Sequence, residues 1–158
     1  MRHSRPEFKI EDSLSKLNPA KLKIALVVAK WNIDYNQEMA DSAKETLLSY
    51  GFEEDSVKFV HIPGAYEMPF VSQKLLEKDH YDAVICFGTV IRGETYHFEI
   101  VANESARGIM DVMLKTSKPI INGVLTVNNE EQAKVRAAKD HDDKGKEFAL
   151  SLIQVLAI

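Results

Sequence analysis

Three short stretches hold most of the residues whose types could do chemistry on a small molecule. They are Trp31-Asn32, Gly64-Ala65-Tyr66-Glu67 and Arg92-Gly93-Glu94-Thr95-Tyr96-His97. Each mixes aromatic, amide and ionisable side chains. A fourth, Asn128-Asn129, is amide-rich. An indole such as Trp31 can stack on a flat heterocycle, with Asn32 beside it for polar contact. The bland alternative for Trp31 is a rim residue covering the core. Glu67 can accept hydrogen bonds from sugar hydroxyls, or simply be a carboxylate stabilised by a helix N-terminus.

Gly88 to Thr95 reads GTVIRGET, close to the phosphate loop of nucleotide hydrolases. The position that should be lysine is Glu94, and a carboxylate there repels a triphosphate, so an NTPase is excluded. The glycine-rich dinucleotide fingerprint is absent too. What remains is a turn at Gly93 running into a helix, whose free N–H groups and Thr95 hydroxyl can hold one phosphate; the alternative is a plain helix start. His97 falls in the first turn of that helix. The positive end of the helix dipole disfavours a second positive charge there, leaving the imidazole available as a base. It is then placed to shuttle protons to a substrate held by the same helix start; alone, it would read as a histidine bonded to a nearby carbonyl. His3, His61, His80 and His141 show no metal-ligand spacing with it, so no metal site is expected. Arg136, Lys144 and Glu147 lie in charged helical stretches and read by themselves as solvated faces.

The elements that must position these groups alternate between strand and helix. Leu22 to Ala29, Val57 to Ile62, Ala83 to Val90 and Pro119 to Val127 are short β-rich apolar runs. Helical spacing appears from Asp34 to Tyr50, stopped by Gly51, and from Ala65 to Lys78. It returns from Thr95 to Lys115, from Asn128 or Asn129 through Ala138, and from Lys144 to Ile158. This alternation predicts an α/β, flavodoxin-like, three-layer αβα sandwich with a four- or five-stranded, mainly parallel sheet. Ligands of such sheets bind beyond the carboxyl ends of the strands, which is where the chemistry-bearing stretches fall.

A net charge of −4 argues against nucleic acid as partner. No apolar run reaches membrane-spanning length. Residues 1–18 carry Arg2, Arg5, Glu7, Glu11 and Asp12 without an apolar stretch, and read as a flexible arm ahead of a single domain over 19–158 of a cytoplasmic protein. The one cysteine, Cys86, sits in an apolar run and reads as a core thiol; one cysteine excludes a disulfide framework.

From about Leu22 onward these stretches resemble lumazine synthase. The matching elements are Trp31-Asn32, Pro63-Gly64-Ala65-Tyr66-Glu67 and Gly88 through Phe98. Gly123 to Thr126, Glu131 to Ala133, Arg136-Ala137 and Lys144-Gly145 complete the set. The resemblance implies condensation of 5-amino-6-ribitylaminouracil with 3,4-dihydroxy-2-butanone 4-phosphate, giving 6,7-dimethyl-8-ribityllumazine, phosphate and water. This is the penultimate step of riboflavin biosynthesis, and it uses no metal or redox cofactor. The same resemblance implies roles. Trp31 stacks on the pyrimidine. Ala65, Tyr66 and Glu67 line the ribityl chain, and Thr89, Val90 and Ile91 present backbone groups to the ring. Glu94 and Thr95 contact phosphate, and His97 moves protons. Asn122 and Lys144 face the pyrimidine from a neighbouring subunit, whose Arg136 pairs with the phosphate. It further implies a homopentamer, with riboflavin synthase as a partner enzyme. The short spacing from Arg136 to Lys144 resembles members whose pentamers close into a sixty-subunit icosahedral capsid.

Glu94, Tyr66, Asn122, Asp142 and Asp143 depart from the commonest pattern, the last two leaving the loop before Lys144 open. Three rival readings are a non-catalytic flavin- or lumazine-binding module, an archaeal-type riboflavin synthase, and a shell protein without activity.

Overall fold

The structure, a computed structural model, describes residues 9–158. Four parallel strands form one sheet in the order β2-β1-β3-β4: β1 Ile24–Ala29, β2 Val57–Ile62, β3 Ala83–Ile91 and β4 Ile120–Val127. Among the described residues, the smaller of the two expected strand counts is the one present. β1 is buried at all six positions, because it lies in the middle of the sheet with helices on both faces. The edge strands β2 and β4 instead mix buried positions with partly or fully exposed ones.

Helices α1 (Ile10–Leu14), α2 (Ile33–Ser49), α5 (Glu130–Ala137) and α6 (Lys144–Leu156) cover one face. There Ile24, Leu26, Val28, Ile85 and Phe87 meet Met39, Leu47, Ala133, Leu152 and Ile153. Helices α3 (Met68–Glu77) and α4 (His97–Thr116) cover the other, where Ala25, Val27, Val84 and Cys86 meet Met68, Leu76 and Ile109. Successive strand residues point to opposite faces, so each strand feeds both cores. Cys86 is fully buried with Ser72 Oγ 3.5 Å from its sulfur, and burial pushes the thiol up to about 12.

Several expected boundaries shift for local reasons. The second helix does not begin at Ala65: Ala65–Glu67 is a 3-10 turn and α3 starts at Met68, with Pro69 in its first turn, where the missing N–H costs nothing. α4 starts at His97 rather than Thr95, since Thr95 stays outside and its hydroxyl accepts from the His97 N–H at 3.4 Å. Asn129 is the cap of α5, its side chain accepting from Gln132 N at 2.9 Å. Gly51 ends the turn after α2 with φ at 92°, a conformation suited to glycine.

Part of the stretch expected as an arm over 1–18 falls within the described residues. Ile10–Leu14 is helical, Ile10 is buried in the core, and α1 packs on α6; residues 1–8 of that arm lie outside the described residues. Among the described residues no helix is long and apolar enough to cross a membrane.

Candidate active site

The chain runs from β1 to β2 on one side, then returns to place β3 on the other side of β1. That reversal opens a crevice at the carboxyl ends of β1 and β3, the switch point at which open α/β sheets bind ligands. A cavity of about 510 Å³ occupies it. The end of β1 contributes Ala29, Trp31 and Asn32, and the turn after β2 contributes Gly64, Ala65, Tyr66 and Glu67. Thr89, Val90 and Ile91 come from the end of β3, and His97, Ile100 and Val101 from the start of α4.

Each wall has a local cause. Asn32 adopts a left-handed conformation (φ 60°, ψ 41°), which turns the chain sharply between β1 and α2 and leaves the Trp31 indole 76% exposed. The Asn32 amide donates to the Thr89 carbonyl at 2.8 Å, tying the two strand ends together. Gly64 leaves room for its neighbours. A Cβ there would lie 3.2 Å from Glu67 Oε2 and 3.3 Å from Trp31 Cδ1, so carboxylate and indole share one corner of the cavity. Arg92 braces the turn before α4. Its guanidinium bonds to Glu99 and, at 3.1 Å, to Asn128, and it covers the Phe98 ring at 4.1 Å. The hydrogen bond from Arg92 holds the Glu99 carboxyl below its ordinary range.

Nine of the expected site residues thus line one cavity: Trp31, Asn32, Ala65, Tyr66, Glu67, Thr89, Val90, Ile91 and His97. Glu94 and Thr95 sit in the exposed turn just before α4, outside the lining. Asn122, Arg136 and Lys144 are not brought to it within the chain. Asn122 lies on the edge strand β4, its side chain accepting from Val124 N at 3.2 Å. Arg136 is on α5 and donates to the Gln132 carbonyl at 3.0 Å. Lys144 is the first residue of α6, 2.6 Å from Glu147. The loop before it is well held: Asp143 is left-handed (φ 46°), and its carboxylate accepts from Ser42 Oγ at 2.5 Å and from Lys146 N at 3.2 Å. Among the described residues no cluster of His, Cys, Asp or Glu is arranged to hold a metal ion.

Sequence reasoning passed over Ile100 as a wall residue and Asn36 behind the wall. Asn36 had a signal: it is a polar residue on the apolar stripe of α2, three and four positions before Met39 and Ala40.

The fold and cavity define a flavodoxin-like domain with an aromatic-walled cavity at the sheet switch point and an imidazole in its lining. The sequence pattern of the 6,7-dimethyl-8-ribityllumazine synthase family matches residues 21–158. A 6,7-dimethyl-8-ribityllumazine synthase from Paracidovorax citrulli (strain AAC00-1) is 42% identical over 140 residues, spanning 89% of this chain and 88% of that protein. The chain belongs to the 6,7-dimethyl-8-ribityllumazine synthase family, the transferases that form the lumazine precursor of riboflavin.

Proposed function

We propose that this cavity carries out the family's condensation, with 5-amino-6-ribitylaminouracil seated on Trp31 and 3,4-dihydroxy-2-butanone 4-phosphate at the turn before α4. The observation that carries this reading is the convergence of nine expected residues from separate stretches on one cavity at the switch point. The Glu67 carboxylate accepts from the ribityl hydroxyls beside Tyr66 and Ala65, while Thr89, Val90 and Ile91 offer backbone groups to the pyrimidine. The start of α4 leaves its first N–H groups without intrahelical partners, which suits a phosphate near Glu94 and Thr95. Gly93 adds to this, because nothing lies within 4 Å of where its Cβ would be.

The chemistry then needs orientation and proton transfer. The amine adds to the ketone and one water leaves as the imine forms. A proton is lost from carbon as phosphate departs, and ring closure releases a second water. His97 takes and returns the protons, using no metal or redox cofactor.

Asn122, Lys144 and Arg136 act from an adjacent subunit, which explains why they lie off the cavity of their own chain. An exposed apolar stripe supports such an assembly. Ile100, Met110 and Leu114 are 43%, 49% and 70% exposed, and at helical spacing they share an arc of about 80°. We assign this enzyme to a cytoplasmic homopentamer, able to close into a sixty-subunit capsid and handing its product to riboflavin synthase.

Mixing both substrates with purified protein should produce the lumazine chromophore at a rate proportional to enzyme. Saturable binding of riboflavin with no chromophore formation would instead establish the non-catalytic binding module.

A further inference from the structure

We infer that Asn36 is a positioning residue of this cavity: it locks the Trp31 turn to the end of β3 and so sets the gap that receives the pyrimidine. Asn36 is completely buried on α2, behind the wall rather than on it. Its amide donates to the Ala29 carbonyl and to the Trp31 carbonyl, each at 2.8 Å. Its Oδ1 accepts from the Thr89 hydroxyl at 2.7 Å. Asn36 therefore grips the backbone on both sides of Lys30, where β1 ends, and reaches the strand that forms the opposite wall. Its backbone N–H also bonds the Asn32 carbonyl, at 3.3 Å.

A buried amide is costly unless satisfied, and asparagine is a poor residue for a helix interior. A leucine would suit the core around Met39 and Ala40 better. What leucine cannot do is hold two strand-end carbonyls and a hydroxyl. These partners all belong to the cavity wall: Ala29, Trp31 and Thr89 each line it. The left-handed Asn32 between them leans on the same network through its bond to the Thr89 carbonyl. Without Asn36, the buried Ala29 carbonyl and Thr89 hydroxyl and the part-buried Trp31 carbonyl lose this partner, and the turn relaxes toward water and a less strained conformation. Trp31 moves with it. The inference rests on the cavity being the pyrimidine site.

The test compares Asn36→Leu, Thr89→Val and Thr89→Ser with Leu47→Ala, a core truncation farther along α2 and away from the cavity. Melting temperature, KM for each substrate, kcat, and quenching of Trp31 fluorescence by riboflavin are measured; Trp31 is the only tryptophan. Asn36→Leu should raise KM for the ribitylaminouracil about tenfold, the scale set by an orphaned buried hydrogen bond. Riboflavin quenching should weaken in parallel, while KM for the phosphorylated ketone and kcat change far less. Thr89→Val should act in the same direction, and the Asn36→Leu, Thr89→Val double variant should be little worse than the worse single one. Thr89→Ser, which keeps the hydroxyl, should restore most of the KM and the quenching that Thr89→Val loses. Leu47→Ala should lower the melting temperature with both KM values unchanged.

If Asn36→Leu matches Leu47→Ala, less stable but with unaltered KM and quenching, Asn36 is structural only and the inference fails. Should Asn36→Leu not fold, Thr89→Val decides the matter alone, unaltered KM again overturning it. Trp31→Ala separates the two levels: if it changes neither KM nor the riboflavin affinity read by equilibrium dialysis, the site assignment itself is wrong.

Discussion

His97 is the first residue of α4 and, among the described residues, the only imidazole lining the cavity. Glu67 and Tyr66 come from another segment of the lining, so removing the ring takes away a proton carrier without emptying the pyrimidine side proposed for them. His97→Ala should lower kcat by about 10²-fold, the lower end of what a general acid–base group contributes, with KM for the pyrimidine within about twofold. Steady-state kinetics against each substrate check this, and an unaltered kcat across the pH range would remove His97 from the mechanism. Single residues of the cavity were legible because they follow strands, where a polar or aromatic side chain has no core to fill. Asn36 was not read, because a helix of mixed composition hides one inward amide among outward ones. Its meaning lies in Ala29, Trp31 and Thr89, which only the fold brings to it. Gly93 lies in the turn expected before α4, yet its φ is not left-handed and a side chain there would meet nothing.

Helix α6 carries Lys144 at its start, and its position depends on Gly145. A Cβ at that residue would lie 2.0 Å from the Met39 carbonyl oxygen and 2.8 Å from its carbon, both backbone atoms of α2. Neither can turn aside as a side chain can, so Gly145→Ala must push α6 off α2. The cost should be about 1–3 kcal/mol, a fall in melting temperature of roughly 3–10 °C. Thermal unfolding beside Gly93→Ala, which should melt as the unaltered protein does, checks it. Strand and long-helix periods made the elements readable, and all four strands and the five longer helices lie where their apolar patterns put them. The exceptions have tertiary causes. α1 has five residues, only Ile10 and Leu14 apolar, and no side-chain cap; it owes its helix to docking on α6. The loop before Lys144 looked open because aspartates replaced residues more at ease there. Asp143 instead accepts a left-handed turn and is held by Ser42, whose place 101 residues earlier no local pattern reveals.

At the scale of the assembly, the single chain exposes Trp31, Tyr66, Ile100, Met110 and Leu114 and keeps Arg136 and Lys144 away from the cavity. The proposed head-to-tail ring would account for these facts, because each of its contacts would join two different faces. His97→Ala and Arg136→Ala should each be poor enzymes. Co-expressed in equal amounts, they should form rings in which about one quarter of sites draw both intact residues from opposite partners. Activity of those verified mixed rings should rise well above the parental mean; activity at the mean would show that the two residues do not meet across a contact. The sealed thiol of Cys86 has a practical corollary for watching such rings. Packed under Ser72 and protonated at any ordinary pH, it gives the chain a chemically silent background toward maleimides. A cysteine introduced as Gly93→Cys, where a side chain meets open space, would be the sole address for a fluorophore. Labelled there, the protein would show in real time whether a phosphorylated substrate fills the turn before α4, with the native cysteine left in place.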